Sequence, residues 1–367
     1  MKSLLFPAVP LLLGLASCAG SGSGGVDHID TLDLKGEIII PYDSLNQPGV
    51  IFATDSRLYL MNSMNVDTII EEYTLDGKFV RRFLTKGNGP DQVPFIYYIG
   101  LNQKNNQLEI LSQPFNLEGL NLDDNPSLSH IFTFEVPEGT DNSSLDASKP
   151  MAGSTMARLG DGSILAGNMS RGGLLAHFAP DGTFKKFYAP YPPKSEYGDG
   201  WPDYMVYNFT QPNIVVSPDG RNFAAKMGVA DYLVFGELSG DSLKVTGTCL
   251  APPKGINVEL GDGWASFDYD DTYTEPFKSA PRMSEKRVYI QRNKLPKMEY
   301  LKLVKQMMEG EIPPEAVLTE YDFAGNIVGA IRIDSMPMSV AVTPDDKTIY
   351  VLTETAEDGI VVKRYNK

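Results

Sequence analysis

Tight-turn signals of two kinds alternate along this chain, and their alternation limits the fold more than any other feature. The first kind stands between two apolar runs, as in Val215-Val216-Ser217-Pro218-Asp219-Gly220-Arg221-Asn222-Phe223-Ala224 and Val340-Ala341-Val342-Thr343-Pro344-Asp345-Asp346-Lys347-Thr348-Ile349-Tyr350-Val351, and Met156 to Ala166 repeats it with Asp161-Gly162. The second kind joins an outer pair, at Asp76-Gly77, Asp181-Gly182 and Gly325-Asn326. Asp-Gly between apolar strands is a strong hairpin signal because its backbone reaches positive φ at low cost. The offset from first to second kind is steady: Asp55 to Asp76 is 21 residues, Asp161 to Asp181 is 20 and Asp219 to Asp241 is 22. That spacing holds four short strands per unit. A repeat of such units is the signature of a β-propeller, in which four-stranded sheets surround a channel.

Six units follow: Val50 to Lys86, Ile96 to Glu135, Met156 to Tyr188, Asn213 to Leu250, an expanded unit from Trp264 to Ile333, and Ser339 to Tyr365. The expected fold is therefore all-β, a six-bladed β-propeller forming one domain over residues 36–367. Two sandwich domains, or a ring of five or seven blades, are the competing arrangements. The last unit has only three strands, while Glu37-Ile38-Ile39-Ile40-Pro41 has no hairpin partner. This orphan is expected to complete the last blade and close the ring, hiding two sheet edges that would otherwise invite aggregation. One helix is expected at 297–309, with Leu301, Val304 and Met308 on one face and Pro313-Pro314 ending it.

The first residues read as an address. Lys2 supplies a positive start, Leu4 to Leu15 is an apolar stretch too short for an ordinary membrane span, and Leu15-Ala16-Ser17-Cys18 resembles the lipobox of bacterial lipoproteins. The expectation is a signal peptide over 1–17, a diacylglycerol on Cys18 and a tether over 18–35, with a Gly/Ser tract from Ala19 to Gly25. Such a protein is exported and held to a membrane, here expected to be the outer membrane, on its periplasmic or outward side. Lipidation of Cys18 would leave Cys249 as the single remaining cysteine, a buried thiol without a disulfide.

The formal charge of −15 repels polyanions, so nucleic acid is not an expected partner. The three histidines, His28, His130 and His177, lack ligand-like spacing, and no Gly-x-Ser-x-Gly elbow is present. His177 is expected to be a strand residue. Lys86 to Pro90 lacks the Lys-Ser/Thr ending of a phosphate loop and is expected to be a turn between blades.

Two clusters remain as candidate sites. Tyr188 to Phe209 holds seven aromatics in 22 residues, against 10% for the whole chain. Tyr197, Trp201, Tyr204 and Tyr207, beside Asp199 and Asp203, offer flat faces for a sugar ring or peptide and carboxylates to accept hydrogen bonds. Packing as blade-linking core is the competing role for these aromatics. Asp268, Asp270 and Asp271 are hard oxygen donors suited to Ca²⁺, the one cofactor considered, though without EF-hand spacing. A solvated acidic loop is the competing role there.

Three segments carry a family resemblance. Arg82-Phe83-Leu84-Thr85-Lys86-Gly87-Asn88-Gly89-Pro90 resembles a blade-linking Gly-x-Gly-Pro loop, with Asp91-Gln92 in place of the commoner Gly-Glu. Ser217-Pro218-Asp219-Gly220 resembles the propeller turn, and Leu318 to Tyr365 resembles the final two blades. Together they are similar to the TolB-like six-bladed β-propeller lipoproteins. The resemblance implies fold and export and transfers no catalytic residue. The expected function is that of a non-catalytic, monomeric binding or scaffolding module for a glycan, peptide or envelope protein. The alternative is a propeller hydrolase or lyase, Ca²⁺-dependent, acting on carbohydrate.

Overall fold

The computed structural model describes residues 29–62, 67–89, 91–112, 116–133, 152–168, 172–190, 212–227, 232–240, 242–250, 254–261, 264–274, 280–291, 295–311, 314–355 and 357–367. Two strands precede the first blade, β1 (Thr31–Leu34) and β2 (Glu37–Ile40). Blade one is β3 (Pro48–Ala53), β4 (Arg57–Asn62), β5 (Thr68–Thr74) and β6 (Phe79–Lys86), with short β7 (Gln92–Val93) parallel to β6. Blade two is β8 (Ile96–Asn102), β9 (Gln107–Ser112), β10 (Asn116–Asn121) and β11 (Leu128–Thr133). Blade three is β12 (Ala152–Arg158), β13 (Ile164–Asn168), β14 (Leu175–Phe178) and β15 (Phe184–Tyr188). Blade four is β16 (Pro212–Val216), β17 (Asn222–Met227), β18 (Tyr232–Ser239) and β19 (Ser242–Leu250).

A separate two-stranded ribbon, β20 (Lys254–Gly261) and β21 (Trp264–Thr274), comes next. Blade five is β22 (Arg282–Met283), β23 (Val288–Gln291), β24 (Ala316–Tyr321) and β25 (Ile327–Ile333), and blade six is β26 (Pro337–Val342), β27 (Thr348–Thr355) and β28 (Gly359–Asn366). The fold is thus the expected six-bladed propeller. The fifth unit differs in detail: its sheet starts at Arg282 rather than Trp264, because β20 and β21 pair with each other and with no blade strand. An alternating apolar run identifies a strand but not the sheet it joins.

The core lies between blades rather than at one centre. Six apolar clusters occupy the six blade interfaces: Ile70 and Phe52 of blade one meet Ile99 and Leu108 of blade two, and so on around the ring to Tyr350 and Leu352 of blade six against Ile51 and Leu60 of blade one. The middle strands of a blade therefore bury both sides, which explains apolar runs such as Thr348–Thr355 in place of strict alternation, while outer strands such as β6 and β11 stay largely exposed.

Ring closure follows the expected route. β2 pairs antiparallel with β28, Glu37 opposite Arg364 and Ile40 opposite Val362. Ile40 is fully buried in the interface of blades six and one, and Arg364 bonds Glu37 at 2.7 Å. Pro41, lacking an amide hydrogen, ends the ladder. The preceding residues contribute more than a tether. β1 lies parallel to β25 on the outer edge of blade five, and Asp33 pairs with Arg332 at 2.8 Å. Gly36 turns the chain between these strands directly under Tyr365, whose ring would lie 2.5 Å from any Cβ there. The ordered domain thus begins before the expected boundary at residue 36.

Turns joining first to second and third to fourth strands all fall on one face, the turn face. Their aspartates fold back on the chain: Asp161 accepts from the Ser163 amide at 2.9 Å, Asp219 from Arg221 at 3.0 Å, Asp181 from Thr183 at 2.9 Å and Asp322 from Ala324 at 2.9 Å. On the opposite face β11, β15 and β19 end and β12, β16 and β22 begin, and helix α1 (Lys297–Met308) lies between β23 and β24. The helix matches the expected 297–309 but turns differently. Leu301 and Met308 are exposed while Leu303, Val304 and Met307 are half-buried, because the neighbour of the helix is β21.

Candidate functional site

Six first strands, β3, β8, β12, β16, β22 and β26, line a central cavity of about 290 Å³. Its walls are mostly Val, Ile, Ala, Leu and Met, so the few polar side chains define its chemistry. They form two levels, since every first strand enters from the linker face and leaves at the turn face.

At the linker-face level stand Arg282, the first residue of β22, and Tyr98, the third of β8. Blades two and five face each other across the ring, and both residues line the cavity between them. Arg282 donates from Nε to the Val340 carbonyl at 2.5 Å, from one terminal nitrogen to the Pro281 carbonyl at 3.1 Å and from the other to Ser339 Oγ at 3.3 Å. Ser339 Oγ in turn accepts the Ile51 amide at 3.2 Å, joining blades five, six and one at this point. Tyr98 donates its hydroxyl to the Ile214 carbonyl at 2.7 Å, reaching past blade three to blade four. Burial lowers the Arg282 pKa below the usual guanidinium value and raises that of Tyr98 far above an ordinary phenol, with the Arg282 charge opposing the latter shift. Among the described residues, no carboxylate forms an ion pair with Arg282.

The turn-face level is self-satisfied. Glu109 accepts from Arg158 Nε at 2.9 Å, from the Arg158 amide at 2.9 Å and from Asn102 Nδ2 at 2.7 Å, and Arg158 also reaches Gln107. Burial raises the Glu109 pKa, opposed by Arg158 and the hydrogen bonds. It is the one acid among the described lining residues. Three hydrogen bonds from Arg158 and Asn102 thus already engage this carboxylate.

The expected site residues fall elsewhere. Tyr197, Asp199, Trp201, Asp203, Tyr204 and Tyr207 lie outside the described residues, in the segment joining β15 to β16. The described start of that segment belongs to the core: Tyr188 Oη accepts the Leu243 amide at 3.2 Å and its ring stands edge-on to His177. Asp268, Asp270 and Asp271 are in strand β21 of the ribbon, and their side chains lie outside the description. Among the described residues no group of three His, Cys, Asp or Glu is placed to hold a metal ion. His177 is a fully buried strand residue of blade three, as expected, and burial pushes its pKa down to about 4.

Cys18 also lies outside the described residues. Cys249 is buried in β19. Sequence reasoning missed both Arg282 and Tyr98: Tyr98 sits in the apolar run Phe95–Ile99, whose only local message is strand, and Arg282 is one charge in the polar stretch Pro281–Arg287. What sets them apart is their position opposite each other in a closed ring.

No family model matches the chain, and no curated protein is similar to it. Solved structures are similar at low identity. The "Putative exported protein" of Bacteroides fragilis NCTC 9343 shares 9% identity over 91% of this chain and 94% of its own, with a TM-score of 0.47. The Cps50 (Swd1) β-propeller domain of Myceliophteria thermophila shares 10% over 90% and 99%, with a TM-score of 0.48. A gluconolactonase of Xanthomonas campestris shares 9% over 88% and 87%, with a TM-score of 0.45. These likenesses say nothing of chemistry, and the blade count above rests on strand pairing.

Proposed function

We propose that this chain is an exported, lipid-anchored propeller that works as a non-catalytic binding module, presenting its linker face to a glycan, peptide or envelope protein. The observation that carries this reading is the placement of inserted chain. Three successive blade junctions, 134–151, 189–211 and 251–281, are long in sequence, and the middle one holds the aromatic-rich run. Loops on a rigid scaffold are where recognition concentrates. The channel beneath supports binding over hydrolysis, because its one described acid is already saturated.

Capture of partners from envelope extracts by the full-length protein, alongside a glycan panel, tests the face. Replacing Trp201 and Tyr204 together with alanine is expected to weaken capture at least tenfold, in keeping with about 1–3 kcal/mol for a central aromatic contact. Unchanged capture would remove the linker face from the reading.

The anchor has its own test. The anchored form is expected to show one titratable thiol in denaturant, and Cys18→Ser to release the protein from membranes. A full-length chain with no titratable thiol and no lipid mass would refute anchoring. Among the described residues no helix is long and apolar enough to cross a membrane.

A further inference from the structure

We propose that Arg282 anchors a site in the central channel for a small carboxylate with an apolar body. The inference rests on the binding-module reading and names a ligand class for the channel. Three observations carry it. First, Arg282 is a channel-lining cation whose described partners are all uncharged, two backbone carbonyls and the Ser339 hydroxyl. Of the five guanidinium N–H groups, those three bonds leave two unspent. Carrying a cation into a partly desolvated site without a counter-charge is costly, and an incoming anion removes much of that cost. Second, the other charges on the described lining cancel, because Glu109 and Arg158 pair with each other at 2.9 Å. The described lining therefore carries one net positive charge, inside a chain of net −15. Third, the rest of the described lining is mostly apolar: Ile99, Val215 and Met283 line the same cavity of about 290 Å³, with Asn213 among its few polar groups.

A planar guanidinium matches a carboxylate in a two-point arrangement. Tyr98, across the cavity, has already donated its hydroxyl to Ile214 and so offers lone pairs but no further proton. That disposition suits a hydroxyl or amide elsewhere on the ligand better than a second anionic group. The apolar walls disfavour an inorganic oxyanion, which would lose its hydration with little in return.

Calorimetric titration of the full-length chain with benzoate, benzamide and inorganic phosphate tests the site. Benzoate is expected to bind at least tenfold more tightly than benzamide, which has the same ring and no charge, and more tightly than phosphate. Arg282→Met is expected to weaken benzoate at least tenfold and leave benzamide unchanged. The benzoate and benzamide comparison needs no variant, so it decides the matter even where Arg282→Met fails to fold. Equal affinity for benzoate and benzamide, no heat from benzoate at millimolar concentration, or unaltered benzoate affinity in a folded Arg282→Met would each overturn the proposal. Phosphate binding as tightly as benzoate would overturn the apolar half of it. Partner capture distinguishes the two levels: capture without benzoate binding removes the channel site and keeps the binding module, while benzoate binding with capture unaffected by the Trp201 and Tyr204 changes removes the linker face and keeps the site.

Discussion

The two halves of the ring are built differently. Blades five, six and one are joined to one another by short segments, 334–336 and 41–47, and receive both N-terminal strands. Their described side chains are bound in charged networks. Glu72 lies between Arg57 at 2.9 Å and Arg81 at 2.6 Å, and buried Glu71 holds Arg82 at 2.7 Å and Tyr73 at 2.9 Å. Lys367 reaches Glu320 at 2.7 Å, Asp346 at 3.1 Å and the Tyr289 hydroxyl at 2.6 Å, fastening the chain end across blades five and six. Blades two, three and four carry the long junctions, and among their described residues only Arg158–Glu109 is a comparably buried pair. One half is organised to shut the ring, the other to carry added chain. Closure and the proposed recognition are therefore expected to be separable by mutation.

The largest break in that contrast comes from removing residues 1–40. Without β2, the β28 edge and the interface formed by Ile40 with Val362 and Ile51 are exposed, and the expected outcome is loss of the cooperative unfolding transition with aggregation through the open edge. Removing only residues 1–34 deletes β1 from the outer edge of blade five and is expected to lower Tm by several degrees while leaving the transition cooperative. Equal behaviour of the two truncations, seen by circular dichroism and light scattering, would contradict the division of labour between β1 and β2.

Next in size is the Lys367 latch. Lys367→Met leaves Asp346 and Glu320, whose side chains are 11% and 14% exposed, without their cation. The expected loss is about 2–3 kcal/mol in denaturant unfolding, below the roughly 3–5 kcal/mol typical of breaking a fully buried pair because some water reaches this one. A loss under about 0.5 kcal/mol would show the latch to be ornamental.

Much of this architecture was legible in the sequence, for a physical reason. A propeller repeats one local problem, a short strand followed by a tight turn, and turns write themselves in Asp, Gly and Asn because only those residues satisfy the turn backbone cheaply. Asp76, Asp161, Asp181, Asp219 and Asp322 do in the structure what their spacing predicts. The orphan Glu37-Ile38-Ile39-Ile40 was readable because a three-stranded last unit left one apolar edge without a partner. β1 was not, since Thr31–Leu34 pairs with a strand roughly 300 residues away and joins the sheet by its edge alone. Nor was the channel chemistry: Arg282 and Tyr98 are 184 positions apart, and only closure brings blades two and five face to face. Composition directed attention to aromatic and acidic clusters, whereas the described polar site is made of isolated residues.

In the other half of the ring, His177 supplies an acid response. It is fully buried in blade three with neither ring nitrogen hydrogen-bonded, and burial, assisted by Lys185, lowers its pKa from 6.5 to about 4. The unfolded chain takes up this proton below about 6.5, while the folded chain resists until about 4. Stability contributed by the neutral ring is therefore complete above pH 6.5 and declines as pH falls towards 4, by at most about 3 kcal/mol. Denaturant unfolding at pH 7 and pH 4.5 should show a decline that His177→Phe flattens. Identical pH slopes for the two proteins would assign acid sensitivity to other groups.

The smallest expected effect on stability sharpens the comparison most. Replacing residues 191–210 with a short Gly/Ser linker is expected to change unfolding free energy by less than about 1 kcal/mol, because loop length enters chain entropy only logarithmically and the described anchors, Tyr188 on Leu243 and Thr155 on Pro212, remain. The same replacement should abolish partner capture while benzoate binding at Arg282 persists. A destabilisation above about 3 kcal/mol would instead make this segment part of the core between blades three and four, and would move its aromatics from recognition to packing.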